Sequence, residues 1–119
     1  MPWFKVDDTL HSHPKARNAG LEAVGLWTLS GSFSMAYKGD GDVPAYFVDG
    51  FKRQGSRAAD LLVRNGLWIE SADGYQFHDW HDFQPSSDEI ERDRELARER
   101  QRRSREKRRT AQEDQVREP

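Results

Sequence analysis

The chain has 119 residues, room for one domain of ordinary size, with 34% hydrophobic and 34% charged residues and a formal net charge of −2. The absence of cysteine excludes disulfide staples and thiolate metal sites. The sequence lacks the apolar run of a signal peptide or membrane span, so a soluble protein of the cytoplasm is expected.

All thirteen aromatic residues lie at or before Phe83. Beyond Pro85 the sizeable apolar side chains are Ile90, Leu96 and Val116, too few to bury a core. A globular domain is therefore expected over residues 1–85 and a charged tail over 86–119, frayed or disordered at its end. The domain holds 8 basic and 11 acidic residues, whereas residues 97–109 of the tail hold eight basic residues against Glu99 and Glu106. That run is the strongest positive field in the chain.

In chain order, residues 3–6 are β-prone, and Pro14 and Gly20 stand where a short helix would open and close. Residues 21–37 carry apolar side chains at mostly helical spacing and predict a buried helix, bent near Gly31. Gly39-Asp40-Gly41-Asp42 lacks the lysine of a phosphate loop and the ligand number of a calcium loop, and is expected to be a flexible turn. Asp42 then caps a helix with Pro44 in its first turn and Ala45, Phe47, Val48 and Phe51 on its apolar face. Gln54-Gly55-Ser56 is expected to break it, with Ser56 capping a helix over residues 57–65 that Gly66 closes. Residues 67–70 and 75–80 predict two strands, joined through Asp73-Gly74 as a hairpin. Trp68 and Trp80 are expected to face each other across it, and Trp27, Phe33, Phe47 and Phe51 to lie in the core.

Ser86 and Glu89 carry a capping-box signature for a last helix. Opposite charges recur at helical spacing beyond them, including Glu91 with Arg94 and Glu99 with Arg103, each pair adding about 0.2–0.5 kcal/mol. Helical to about residue 112, it would extend about 40 Å. The expected fold is α+β, mainly α: a winged helix-turn-helix domain with a C-terminal β-hairpin wing, followed by a long charged helix.

The segments Trp3-Phe4-Lys5-Val6, Val43-Pro44, Leu61-Leu62-Val63-Arg64-Asn65-Gly66-Leu67-Trp68 and Phe77-His78-Asp79-Trp80 resemble the N-terminal winged-helix domain of phage replisome organisers and DnaD-like replication initiation proteins, particularly small helix-turn-helix proteins of actinobacterial phages. The resemblance covers nearly all of residues 2–84. It implies a DNA-related role in replication initiation or its control, inside a bacterial host, and brings no catalytic motif or cofactor.

In that frame Arg57 and Arg64 of the recognition helix are the candidate groove contacts, Arg57 at its N-terminal end. Lys52, Arg53, Lys15 and Arg17 are candidate phosphate contacts, as are Arg98, Arg100, Arg102, Arg103, Arg105, Lys107, Arg108 and Arg109 of the tail, on duplex or single-stranded DNA. His11 with His13, and His78 with His81, suit zinc by side-chain type, but odd spacing puts His78 and His81 on opposite faces of a strand; structural histidines are expected and no metal. The expected activity is binding, not catalysis. The acidic domain also motivates an alternative, an adaptor whose charged helix docks on a replication or transcription protein.

Overall fold

The computed structural model describes residues 2–117, and it is α+β, mostly helical, with a small antiparallel sheet and a long C-terminal helix. Residues through Ser87 form one compact unit and those from Asp88 a second. In the first, α1 (Pro14–Ala19) starts on a proline, and the His13 side chain caps it by accepting the Lys15 N–H at 3.2 Å. Gly20, with φ at +93°, turns the chain into α2 (Leu21–Ala36), which runs unbroken through Gly25 and Gly31.

The buried face of α2 is made of small residues. Ala23, Ser30, Gly31 and Ser34 are buried beside Leu26 and Met35, while Leu21 is 94% exposed. Its counterpart on α4 (Lys52–Arg64), which packs against α2, is Gly55, Ala58, Ala59 and Leu62. Gly55, expected from the sequence to break a helix, lies inside one. The break falls earlier, at Gly50-Phe51, and separates α4 from the short α3 (Ala45–Asp49). A β-carbon on Gly55 would clash with the Val48 carbonyl oxygen, so its missing side chain is what lets α3 lie against α4. Gly25 has open space around it. Gly25→Ala should therefore raise stability by about 0.5–1 kcal/mol, the ordinary helix gain. Gly55→Ala should lower it by about 1–3 kcal/mol through overpacking, despite the same intrinsic gain. Urea unfolding of the pair checks this, and a gain in both would contradict the packing.

Residues 42–44 are a strand, β1 (Asp42–Pro44), where a helix start was expected. A residue before proline is driven to extended backbone, and Val43 there is 1% exposed. With β2 (Trp68–Ser71) and β3 (Gly74–Phe77), β1 forms a three-stranded antiparallel sheet in the order β1-β3-β2. Pro44 thus sits on an edge strand, where its missing N–H costs no ladder bond. Gly66, at φ +75°, closes α4 as expected.

The hairpin forms, with Ser71 opposite Gly74 and Ala72-Asp73 as its loop. Its glycine serves packing: a β-carbon on Gly74 would meet the Val43 oxygen and the Ala45 nitrogen of the neighbouring strand end. The second strand stops at Phe77, short of the expected residue 80. The His78 N–H donates to the Leu67 oxygen at 3.1 Å, and Trp80 opens a one-turn helix, α5 (Trp80–Phe83). Trp68 therefore faces Phe77 and not Trp80, and the Phe77 ring lies between them, 5.8 Å from Trp68 and 5.1 Å from Trp80. Residues 3–6 form no strand; Phe4 packs its ring on Trp27, Phe77 and Trp80.

The second unit is the body of α6 (Ser87–Arg117), which starts directly after Ser86, the expected cap, and runs past the expected end near residue 112. Two of the expected ion pairs are formed, Glu91 with Arg94 at 3.5 Å and Glu99 with Arg103 at 3.0 Å.

Candidate nucleic-acid interface

With Gly55, Ala58, Ala59 and Leu62 buried, the 3.6-residue period leaves Arg53, Ser56, Arg57, Asp60 and Arg64 along the exposed side of α4. Lys52 and Arg53, expected at the end of the preceding helix, open this one. Arg57, expected at the N-terminal end, is in the second turn, because α4 starts five residues earlier than the sequence suggested. The first turn of α4 is therefore Lys52, Arg53 and Gln54. Lys52 holds φ at +58°, a left-handed conformation costing a non-glycine residue about 1–2 kcal/mol, at the corner between α3 and α4.

The cations of this stripe differ in their surroundings. Arg57 donates from Nη2 to Glu22 of α2 at 3.3 Å, and Arg64 pairs with Asp60 one turn back at 2.9 Å. Both arginines remain largely exposed, so each pair is worth about 0–1 kcal/mol and is readily exchanged for another anion. Among the described residues, no carboxylate lies within ion-pair distance of Lys52 or Arg53. The hairpin tip beside the sheet carries Glu70 and Asp73, both exposed. Tyr75 on β3 has its hydroxyl pushed above its usual range, by partial burial first and then by the Glu70 charge.

Lys15 and Arg17 are held on α1. The Lys15 ammonium lies over Gly66, at the C-terminal end of α4 where the helix dipole favours a cation, and Arg17 donates to the His11 oxygen at 3.2 Å. Both are thus carried by α1 and not by the exposed side of α4. Arg98, Arg100, Arg102, Arg103, Arg105, Lys107, Arg108 and Arg109 are exposed on α6. Glu91, Glu95, Glu99 and Glu106 recur there at helical spacing along one side, whereas the eight cations are spread around the whole circumference, Arg102 and Arg109 falling among the glutamates.

All four histidines are exposed; His13 caps α1, the His11 Nδ1–H donates to the Asp8 carbonyl oxygen at 2.9 Å, and His78 lies 2.7 Å from Asp79. Among the described residues, no three histidine, aspartate or glutamate side chains come together as a metal site. In the N-terminal segment the Thr9 amide and hydroxyl hold the Asp7 carboxyl below its usual range.

The turn expected to be flexible at residues 39–42 is instead pinned. Lys38 and Asp40 take positive φ, the Gly41 N–H donates to the Ser34 hydroxyl at 2.9 Å, and Gln76 donates to the Asp40 carbonyl at 3.1 Å. The Asp40 carboxylate accepts the Ser87 N–H at 2.7 Å and its hydroxyl at 2.8 Å, satisfying a donor that the first turn of a helix leaves open.

Compared with protein-family models, curated proteins and solved structures, the chain matches none of them. No helix among the described residues is long and apolar enough to cross a membrane.

Proposed function

We propose that the chain is a winged helix-turn-helix DNA-binding protein, akin to the N-terminal domains of phage replisome organisers and DnaD-like initiators, acting in replication initiation or its control in the host cytoplasm. The observation that carries this reading is the exposed stripe of α4. A 13-residue helix follows a tight corner after α3, leads directly into a hairpin, and turns Arg53, Arg57 and Arg64 outward along one side. In this reading α4 is the recognition helix, its first turn of Lys52, Arg53 and Gln54 meets the groove, and the β2–β3 hairpin is the wing. Arg57 and Arg64 trade Glu22 and Asp60 for phosphate or guanine. The α6 arginines add affinity without reading sequence, since they surround the helix.

Titration of labelled duplex DNA at several salt concentrations tests the reading. Binding that weakens linearly on a log–log scale, and that falls further for Arg53→Ser with Arg57→Ser, is expected; no binding at low salt would refute it.

One observation favours a second reading. Two of the four stripe cations are paired with carboxylates, and the wing tip is acidic, as suits an adaptor that docks α6 on a replication or transcription protein. In that case the intact chain captures a protein partner and no DNA.

A further inference from the structure

The aromatic residues expected in the core beside α3 are not all there. Phe33 and Phe47 are half-buried, Phe51 is exposed, and with Tyr37 and Tyr46 they form a continuous strip along α2, α3 and the corner before α4. Ring centroids step from Tyr37 to Phe33 at 4.9 Å, from Phe33 to Phe47 at 4.4 Å and from Phe47 to Phe51 at 5.5 Å, with Tyr46 6.3 Å from Phe33. Tyr37 and Tyr46 are 74% and 69% exposed, far more than packing requires.

Charge identifies the kind of partner. Lys52 and Arg53 follow Phe51 directly in the chain, Lys38 follows Tyr37, and the one carboxylate of the α3–α4 corner is Asp49. Ring faces interleaved with cations are what an unpaired strand needs: bases offer flat faces to stack on, and the backbone offers phosphates at each step. A duplex cannot use the rings, because its bases are already stacked. A second copy of the chain would bring the same cations against themselves.

We propose that this strip binds single-stranded nucleic acid, with unpaired bases stacking on Tyr37, Tyr46 and Phe51 and phosphates held by Lys52 and Arg53. It rests on the DNA-binding reading above and adds a second mode on a neighbouring face. The two modes share only the first turn of α4.

Anisotropy titration of the full chain with a labelled 15-residue oligothymidylate tests it, alongside a duplex of the same length. Tyr37→Ser with Tyr46→Ser should weaken oligothymidylate binding about tenfold or more, leave duplex binding within about twofold, and leave the salt slope unchanged, since stacking releases no counterions. Tyr37→Phe with Tyr46→Phe should restore binding, which recognition through the hydroxyls would not allow. Lys52→Ser with Arg53→Ser should flatten the oligothymidylate salt slope by about 0.7 for each phosphate left without its cation. Both tyrosines are exposed, so the folded state is expected to survive, as circular dichroism verifies.

Oligothymidylate binding indifferent to the tyrosine changes would overturn the proposal while leaving duplex recognition intact. Loss of binding to both nucleic acids in the unaltered chain would end both readings. A dimer in sedimentation that the serine changes dissociate, with no effect on oligothymidylate, would assign the strip to a second copy and overturn the proposal as well.

Discussion

Trp68→Ala is expected to destabilise the globular unit by about 3–5 kcal/mol, the cost of emptying a large buried aromatic site. Trp68 is 1% exposed, its ring meets Tyr75 at 5.1 Å and Phe77 at 5.8 Å on the neighbouring strand, and the strand that carries it packs on α4. Against a total stability of about 5–15 kcal/mol, this loss removes a large share. Trp68→Phe should cost much less. The indole N–H is buried without an acceptor among the described residues, so phenylalanine surrenders volume but also relieves an unpaired donor whose burial costs about 1–3 kcal/mol. Urea unfolding followed by the fluorescence of Trp27 and Trp80 measures both. A loss below about 1.5 kcal/mol for the alanine variant would mean that Trp68 is not the keystone of the sheet.

The other large effect lies in α6. Changing Arg98, Arg100, Arg102, Arg103, Arg105, Lys107, Arg108 and Arg109 to glutamine keeps the helix propensity nearly constant while removing the charge. Duplex affinity at about 0.1 M salt should fall by about two orders of magnitude, and the log–log salt slope should flatten by about 0.9 for each phosphate no longer neutralised. The loss should be equal across DNA sequences, because cations spread around a helix touch backbone and not base edges. Titration of two unrelated duplexes checks both points. An unchanged slope would place the electrostatic contacts on the globular unit alone.

What the sequence disclosed and what it concealed divide along a physical line. Pro14, Gly20 and Gly66 are legible because proline and glycine act through their own backbone; the hairpin is legible too, but its loop is Ala72-Asp73, one residue before the expected Asp73-Gly74, and Gly74 answers to packing against Val43. Strand β1 is not legible, because three residues cannot announce a strand whose partner β3 lies about 30 positions away. Gly55 misled for the same reason. A helix glycine resembles a breaker until the Val48 carbonyl that needs its space is seen. Because the break falls at Gly50-Phe51, Lys52 and Arg53 belong to α4 and not to the end of the helix before it, where local sequence alone puts them.

The candidate site was legible in residue type more than in arrangement. The Asp60–Arg64 pair is a four-residue spacing visible in the sequence, whereas the Glu22–Arg57 contact joins elements 35 residues apart. The aromatic strip was hidden because Phe33, Phe47 and Phe51 have helical spacing that fits a core; only the small-residue packing of α2 on α4 leaves them at the surface. Leu21 shows the same limit, as an apolar residue in a helical pattern that the fold leaves exposed.

Whether α4 is the element that meets duplex DNA is decided by mapping amide chemical-shift changes along the whole chain as duplex is added. The largest changes are expected at residues 52–57 on α4 and at the hairpin tip, residues 71–74, with smaller and sequence-independent changes over residues 97–109. Changes confined to residues 97–109, with α4 and the hairpin unmoved, would contradict a recognition role for α4.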